Sequence, residues 1–362
     1  MPDQRRRRLA SLAARLGEEK IDGLILTSLS NIRYLTGFSG SSALLLVTPA
    51  EARLITDFRY ETQVADEVGD IARVRIEPVS LWVGLWALLR KMQSIEVLGF
   101  ESAHLIHRDF QRLLSDGSRW QWRPQLDLVE HLRESKDEDE VALISEAARI
   151  ATSALASVLP RIRVGLTELQ VAGVLEKALR DEGSEDAPFP PIVASGPRSA
   201  LPHARPSSRT IQRGDLLLLD FGAQHRGYCS DITRTFVVGM PTAEQRDVYA
   251  IVRDANHIAS ASVRPGMTGK AADALARSYI ERQGYGDGFG HSLGHGLGLE
   301  VHEAPRLART VEAALRQGVV VTIEPGIYRP GWGGVRIEDD VHLSANGPQM
   351  LTNFSRELIE VA

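Results

Sequence analysis

The sequence predicts an α/β domain with a mixed sheet and flanking helices, followed by an α+β domain that contains an internal duplication. Three observations support this prediction. The chain has 362 residues, which corresponds to about two domains at roughly 150 residues each. Short apolar runs alternate with helical patterns through the N-terminal third, as in α/β domains. Further along, four punctuating residues recur at a constant spacing of 101 positions.

Composition restricts the class of protein. Hydrophobic residues make up 43% and charged residues 25%, which is typical of a globular chain. The net charge of -5, from 42 basic and 47 acidic residues, gives no support for a nucleic-acid partner. No apolar run approaches the roughly 18 residues that a membrane span needs, so no membrane partner is expected. The single cysteine, Cys229, cannot form an internal disulfide, which favours a reducing cytoplasm.

The N-terminal elements follow from the spacing of apolar residues. The predicted strands are 24–27, 43–48, 53–56, 72–76 and 96–100, and the predicted helices are 9–20, 58–67 and 81–92. A dense charge run, Arg133–Glu140, then predicts a solvated linker that becomes a helix start. The expected division is therefore an N-terminal domain over 1–132, a linker and helix start over 133–140, and a second domain over 141–362.

The second domain shows the duplication. Helical patterns cover 141–159 and 166–182, and a second pair covers 243–263 and 268–283. The pattern Arg-x-Gly-x-Thr, a helix of about four turns, then Gly, occurs in both pairs. The matched residues are Arg163, Gly165, Thr167 and Gly183 with Arg264, Gly266, Thr268 and Gly284. Four matches in register indicate two related halves, each followed by strand-rich sequence.

The strand-rich part of the first half, residues 216–238, predicts a β-hairpin. Asp220 and Asp231 are equidistant from its turn at 224–227, which places them directly opposite each other with Cβ atoms about 4.5–5.5 Å apart. Two facing carboxylates repel each other and are costly to bury. A metal ion between them, a solvent-facing edge, or an arginine from elsewhere would each resolve the conflict.

The second half predicts a similar hairpin, with a turn at 329–334. Glu324 and Glu338 are equidistant from Gly331 and should also face each other. Glu324 ends the apolar run Val-Val-Val-Thr-Ile, where a lone charge would be unfavourable. Each half therefore supplies one carboxylate pair, and the solvent-edge explanation would have to hold twice.

Between the hairpins, residues 289–303 contain three histidines and four glycines. A nucleotide loop is disfavoured because no Lys-Ser/Thr follows the glycines. A histidine from this segment is expected to complete the carboxylate site. Four carboxylates and an imidazole suit two divalent ions. Because most of these ligands are oxygens, they favour Mn²⁺, whereas structural zinc sites are typically rich in sulfur ligands. A water that bridges two such ions loses a proton near neutral pH, which predicts hydrolysis.

These motifs resemble the family that includes methionine aminopeptidases, Xaa-Pro aminopeptidases, Xaa-Pro dipeptidases (prolidases) and creatinases, whose catalytic domain has the pita-bread fold. The matching segments span the second domain. They are Leu-Asp220-Phe-Gly with Asp231-Ile-Thr-Arg-Thr, Gly290-His291-x-x-Gly-His295-Gly-x-Gly-x-x-x-His302-Glu, Glu324-Pro-Gly-Ile-Tyr, and Gly334-Val-Arg336-Ile-Glu338-Asp. The resemblance also implies an internal pseudo-two-fold axis, in agreement with the repeat.

The resemblance implies a dinuclear metal site. Its expected ligands are Asp220, Asp231, His295, Glu324 and Glu338. Asp231 and Glu338 would bridge two divalent ions, with Mn²⁺ expected and Co²⁺ or Zn²⁺ as alternatives. A hydroxide between the ions would be the nucleophile.

Further residues match substrate-handling positions of the family. His203 matches a substrate-binding histidine, and His302 matches a donor to the tetrahedral intermediate. Glu324 would also carry the proton to the leaving nitrogen. His291 matches a histidine of the proline pocket or its support, and Arg336 matches a cation that holds the carboxylates.

The N-terminal domain distinguishes among the relatives. Its segments Asn31-Ile-Arg-Tyr-Leu-Thr-Gly-Phe-Ser-Gly and Thr56-Asp57-Phe-Arg59-Tyr60-x-x-Gln63 resemble the N-terminal domain of creatinases and proline-specific peptidases. Creatinases lack the metal ligands, so the resemblance implies a homodimeric Xaa-Pro aminopeptidase that acts on peptides with proline at the second position. A prolidase restricted to dipeptides is the alternative, and a non-catalytic peptide-binding member of the fold is a third possibility.

Overall fold

A computed structural model describes residues 4–362, which divide between Arg133 and Glu134 into two compact units. Helices and strands are numbered below in chain order.

The first unit contains a six-stranded mixed sheet with flanking helices. Its strand order is β4-β3-β2-β1-β5-β6, with antiparallel pairing of β2 to β1 and β3 and parallel pairing of the other neighbours. The helices are α1 (Gln4–Glu18), α2 (Leu29–Thr36), α3 (Glu61–Val68), α4 (Leu81–Leu89), α5 (His107–Ser115) and α6 (Glu130–Arg133). The strands are β1 (Gly23–Leu26), β2 (Ala43–Val47), β3 (Ala52–Thr56), β4 (Arg73–Ile76), β5 (Val97–Glu101) and β6 (Gln121–Gln125).

The mixed sheet and the five predicted strands are confirmed, whereas β6, α2, α5 and the short α6 were not predicted. Strand β6 has the sequence Gln-Trp-Arg-Pro-Gln and lies at the sheet edge, mostly exposed. An edge strand tolerates proline and does not need apolar alternation, so its sequence signal is weak. The predicted helix over 58–67 begins as a 3₁₀ turn, Phe58–Tyr60, because the Asp57 side chain accepts from the Arg59 N–H.

The prediction that the charge run Arg133–Glu140 is solvated is wrong for half of it. Arg133, Glu134, Lys136 and Glu140 are all buried. They are buried because partners compensate their charges or hydrogen-bonding groups: Arg133 donates to Asn31 at 2.8 Å, and Lys136 lies 2.6 Å from Glu303. The predicted helix start is confirmed, since Asp137 and Glu140 form a capping box at the first turn of the next helix.

The second unit contains two helix pairs and the sheets that follow them. The helices are α7 (Glu138–Val158), α8 (Glu168–Asp181), α9 (Ala243–Ser262) and α10 (Gly269–Arg282). The strands are β7 (Ile192–Ser195), β8 (Leu216–Phe221), β9 (Gln224–His225), β10 (Tyr228–Cys229), β11 (Ile232–Val238), β12 (Gly294–Gly296), β13 (Glu303–Leu307), β14 (Val320–Ile323), β15 (Gly326–Arg329), β16 (Gly333–Arg336), β17 (Asp339–Ser344), β18 (Gly347–Met350) and β19 (Glu360–Val361). The larger sheets have the orders β19-β11-β8-β7 and β13-β12-β14-β17-β18.

The predicted duplication is confirmed at the level of single residues. Helices α8 and α10 both have 14 residues, and their bounds differ by the same 101 positions. Each begins after a threonine N-cap, Thr167 or Thr268, whose side chain accepts from the backbone three residues on. The glycines two residues before these caps have φ of 92° and 88°. Each threonine also bridges to a later segment of its own half, at Thr210 and Ala314.

Each half has its own hydrophobic core. The first core joins α7 and α8 to β7, β8 and β11, with Leu155, Leu175 and Phe236 at its centre. The second joins α9 and α10 to the strands from β13 to β17 and contains Val252, Ile280 and Val321. Among the described residues, one helix, Glu138–Arg161, is long and apolar enough to span a membrane, and half of its apolar window is buried inside the protein, as in a core helix.

Candidate metal centre

The first carboxylate pair lies on the β8–β11 hairpin, in a register that differs from the prediction. Asp220 pairs with Thr233, so the prediction that Asp231 is directly opposite Asp220 is wrong. The turn residues Arg226 and Gly227 both have positive φ, 47° and 80°, which centres the hairpin one residue later than expected. Asp231 lies two residues from Thr233, and because side chains alternate with a period of two, it remains on the face of Asp220.

The second carboxylate pair has the predicted register. Gly326 pairs with Arg336 and Ile323 with Asp339, so the hairpin is centred on Gly331 and Glu324 lies opposite Glu338. The two glutamates occupy the break between these paired segments. Asn256 of α9 spans the break by donating its side-chain N–H groups to the carbonyls of Ile323 at 2.9 Å and Ile337 at 3.0 Å. The backbone that presents both glutamates is therefore fixed from the helix side.

His295 completes the group from β12, which pairs with β14. Its Nδ1 lies 3.0 Å from the Gly296 carbonyl, and a carbonyl only accepts, so the imidazole proton resides on Nδ1. The lone pair of the unprotonated Nε2 is then available to coordinate a metal ion. Nε2 lies 3.8 Å from Asp231 Oδ2 and 3.6 Å from Glu324 Oε1. Burial and the neighbouring His302 lower the pKa of His295 to about 4, which keeps the imidazole neutral, as coordination requires.

Ligand atoms of Asp231, His295 and Glu338 all lie within 4.8 Å of one another. Burial, followed by repulsion from Glu338 and Asp220, raises the pKa of Asp231 well above its usual range. Burial likewise raises the pKa of Glu338 strongly and that of Glu324 to about 8. Within the described residues, Oδ1 of Asp220 and Oδ1 of Asp231 are buried without a hydrogen-bond partner. Divalent cations would satisfy these atoms and offset the repulsion, so the residues fit a metal centre.

Arg336 is the cation beside the carboxylates, in the position that the sequence predicts. One Nη donates to Asp220, the other lies 2.7 Å from the Tyr328 hydroxyl, and Nε lies 3.0 Å from Thr233 Oγ1. Thr233 in turn donates to Glu338 at 2.5 Å. A single guanidinium cannot balance three buried carboxylates and the partly buried Glu324, so further positive charge is needed here.

The three predicted substrate-handling histidines lie around this group. The ring centroid of His302 is 4.3 Å from that of His295. His291 Nε2 lies 3.0 Å from the Tyr328 hydroxyl, and its Nδ1 is 3.9 Å from Glu324 Oε2. Burial lowers the pKa of His291 to about 4, and partial burial together with repulsion from His203 lowers the pKa of His302. His203 is exposed, and the carbonyl of the residue before it, Pro202, accepts from Arg336 at 3.2 Å.

Two loops that carry these histidines are held by buried acids that the sequence analysis missed. Glu168 accepts from the N–H and hydroxyl of Ser195 at 2.8 Å each, from Ser207, and from Arg198 at 3.0 Å. It thereby ties both ends of the segment that contains His203. No local pattern marks Glu168 as different from an exposed residue of a first helical turn.

In the second half, Asp273 and Arg277 of α10 do the same for His291. Asp273 accepts from the Leu293 N–H at 3.0 Å, and Arg277 donates to the carbonyls of Phe289 and His291 at 2.8 and 2.6 Å. The sequence analysis also missed Thr233, Tyr328 and Asn256. Thr233 and Tyr328 could have been identified because they lie two and four residues after Asp231 and Glu324, on the same strand faces. Asn256 could have been identified as a polar residue within the apolar stripe of a helix.

Comparisons with known proteins agree with this geometry. A model of metallopeptidase family M24 matches residues 142–345, and one of the creatinase/prolidase N-terminal domain matches residues 8–184. An uncharacterized peptidase of Bacillus subtilis is 43% identical over 97% of this chain and 99% of its own length. The structure of an Xaa-Pro dipeptidase from Bacillus anthracis superposes with a TM-score of 0.94 at 39% identity, over 98% of this chain and 99% of that one. An X-Pro aminopeptidase from Thermotoga maritima gives 0.88 at 37% identity, with the same coverage.

These likenesses confirm the predicted pair of folds, and the family match covers more than half of the chain, in the region that holds the clustered carboxylates and His295. The chain therefore belongs to metallopeptidase family M24.

Proposed function

We propose that this protein is a metal-dependent Xaa-Pro aminopeptidase, which hydrolyses the bond before a proline at the second position and releases the N-terminal residue. The observation that carries the proposal is the meeting of three buried carboxylates and the partly buried Glu324, from two hairpins, with a neutral His295 from β12. The relatives named X-Pro aminopeptidase and Xaa-Pro dipeptidase support the specificity for proline.

Asp220, Asp231, His295, Glu324 and Glu338 would hold two divalent ions, with Asp231 and Glu338 between them. Bound ions of this kind supply Lewis acidity, which polarises the scissile carbonyl and makes water a nucleophile near neutral pH. Mn²⁺ is the proposed metal because oxygen ligands dominate the set, with Co²⁺ and Zn²⁺ as alternatives.

The remaining residues act on the peptide. His302 would donate a hydrogen bond to the oxygen that gains charge during attack, and Glu324 would carry a proton to the leaving proline nitrogen. His203 and His291 would hold the substrate. The Tyr328 hydroxyl orients His291 at 3.0 Å and also accepts from Arg336, which in turn holds Asp220.

The test compares Xaa-Pro and Xaa-Pro-Yaa peptides with Mn²⁺-loaded enzyme, with products identified by mass spectrometry. Release of Xaa from both substrates is expected. The matched peptides with alanine in place of proline serve as controls and should remain intact. Cleavage of the alanine peptides at equal rates would contradict the proposed specificity.

A strict dipeptidase is the second candidate, because the Bacillus anthracis relative with a TM-score of 0.94 is named an Xaa-Pro dipeptidase. The same experiment separates the two activities. Release of Xaa from the dipeptide alone would establish the dipeptidase and exclude the aminopeptidase.

We also propose that the protein is a homodimer and that it lies in the cytoplasm. The proposed domains are an N-terminal domain over 1–132 and a catalytic domain over 141–362, with a connecting segment over 133–140. The single cysteine supports the reducing compartment, since the chain has no second cysteine for an internal disulfide. Burial raises the pKa of the Cys229 thiol to about 12. Light scattering coupled to size exclusion tests the dimer, and a monomeric mass at working concentration would contradict it.

A further inference from the structure

Lys136 is the one buried lysine among residues 4–362. Its side chain is 1% exposed, and its Nζ lies 2.6 Å from Glu303 Oε1, whose side chain is 6% exposed. Nζ also donates to the Glu134 carbonyl at 3.1 Å. Lysine is almost never fully buried unless it is paired, so this ion pair has a specific place in the packing.

Glu303 connects this ion pair to His302, because it is the next residue along the chain. It begins β13 and pairs with Gly296, the residue after His295. Residues 297–302 form the loop between these paired positions. The location of Glu303 therefore sets where the loop ends and where His302 stands relative to His295, whose ring centroid is 4.3 Å away.

Close packing holds the other side of this loop. A Cβ atom at Gly298 would overlap the Glu303 carboxylate and lie 3.1 Å from Lys136 Cε, so only glycine permits the approach. The Gly298 carbonyl accepts from the Cys229 N–H at 2.8 Å. The backbone of Lys136 is fixed as well, because its N–H donates to the Gly318 carbonyl at 2.8 Å and Ser135 bridges to Val319.

We propose that Lys136 is a positioning residue for His302: through Glu303 it holds the 297–302 loop so that the imidazole faces the reacting peptide. The inference rests on the proposed role of His302. Lys136 touches neither substrate nor the metal ligands. His302 itself is exposed, so its location depends on the anchors of its loop. A hydrogen-bond donor stabilises the charge that develops in the transition state when it is already in position before the reaction.

The test measures kcat, KM and metal content of Lys136→Met, Lys136→Arg and His302→Ala, alone and combined. Lys136→Met should lower kcat about 10- to 100-fold, as for other residues that orient a catalytic group, with KM nearly unchanged and two ions retained. Lys136→Arg should recover part of this loss. In the His302→Ala background, Lys136→Met should cause no further loss, because both changes remove the same interaction.

A readout without metal or substrate accompanies the kinetics. Hydrogen exchange of the peptide over 297–303 should become faster in metal-free Lys136→Met. The matched control is Lys270→Met, which removes a lysine whose 2.8 Å pair with Glu312 is exposed. It should match the wild type in kcat and in exchange of this peptide. If Lys136→Met does not fold, the double variant Lys136→Met/Glu303→Gln removes both charges and should show the same loss of kcat.

Wild-type kcat in Lys136→Met or in Lys136→Met/Glu303→Gln would overturn the inference. So would a loss of kcat on Lys136→Met that is equally large in the wild-type and His302→Ala backgrounds, or a loss of the metal ions. The proposed function fails separately: unchanged kcat in His302→Ala would contradict the role of His302 itself. A low kcat in His302→Ala beside a normal Lys136→Met would reject only the positioning role.

Discussion

The two halves of the second unit share a scaffold but differ in what their loops carry. Helices α8 and α10 have the same length, the same threonine caps and the same spacing to their flanking glycines. Each half contributes one carboxylate pair on a hairpin. However, β12 of the second half carries His295, whereas the corresponding β7 of the first half, Ile192–Ser195, contains no histidine.

The means of holding the substrate loops differ as well. In the first half, the single carboxylate of Glu168 accepts hydrogen bonds from backbone and side-chain groups of the loop. In the second half, the ion pair of Asp273 and Arg277 holds the loop. Packing and helix capping therefore preserve the duplicated frame, and the loops have diverged toward separate tasks. Substitutions made in parallel in the two halves test this division of labour.

The largest effect is expected from the two carboxylates proposed to lie between the metal ions. Asp231→Ala in the first half and Glu338→Ala in the second should each lower kcat by at least about 10⁴-fold, as when a central catalytic group is removed. Bound metal, measured by elemental mass spectrometry, should fall in both variants, while circular dichroism stays unchanged. Unchanged turnover in either variant would reject the dinuclear centre, and unequal metal loss would show that the halves do not contribute equally.

The two cores should respond independently to cavities. Leu175→Ala in the first core and Leu343→Ala in the second should each lower the free energy of unfolding by about 2–5 kcal/mol, because both leucines are fully buried. The double variant should show the sum within about 0.5 kcal/mol in urea titrations. Leu169→Ala is the control, since that leucine is 56% exposed on the same helix as Leu175. A strongly non-additive double variant would mean that the cores act as one.

The loop anchors should have intermediate effects on activity. Glu168→Gln and Asp273→Asn should each lower kcat/KM about 10-fold, because each weakens the attachment of a histidine-bearing loop. Metal content should remain at the wild-type value. Glu146→Gln provides the control, since its pair with Arg149 lies on the surface. Equal loss of metal and activity in the anchor variants would assign these acids to the metal centre instead.

The helix caps should give the smallest effects. Thr167→Ala and Thr268→Ala should each cost about 1 kcal/mol of unfolding free energy, measured by urea titration. The first half has a full capping box with Gln170, whereas the equivalent residue in the second half is Ala271. Gln170→Ala should therefore destabilise the first half by a further few tenths of a kcal/mol. No measurable cost at either threonine would show that tertiary packing alone fixes these helices.

The sequence predicts those features that depend on local periodicity and punctuation. The repeat at 101 positions, five of the six strands of the first sheet and the centre of the second hairpin at Gly331 belong to this class. The first hairpin was misplaced because Arg226 adopts a positive φ beside Gly227, which a non-glycine residue rarely does. Moving the turn centre by one residue changes the partner of Asp220 by two, from Asp231 to Thr233, so both aspartates stay on the predicted face.

The features that the sequence does not predict depend on long-range partners. Lys136 and Glu303 are 167 positions apart, so the charge run around Lys136 resembles any solvated linker. Glu168 and Asp273 are buried only because loops distant in sequence fold over them. The sequence singles out the clustered acids, His295 and Arg336 because long motifs carry them, whereas it does not single out Thr233, Tyr328 and Asn256, which contact this cluster or its backbone.

The separation of the two carboxylate pairs along the chain has a consequence during synthesis. Glu324 follows Asp231 by roughly 90 residues, so a ribosome working at about 5–20 residues per second completes the second pair some 5–20 seconds after the first. Until then the nascent chain lacks Glu324 and Glu338, two of the five proposed ligands. If the proposed ligands hold the ions, full affinity for a metal arises only after the second pair has been synthesised.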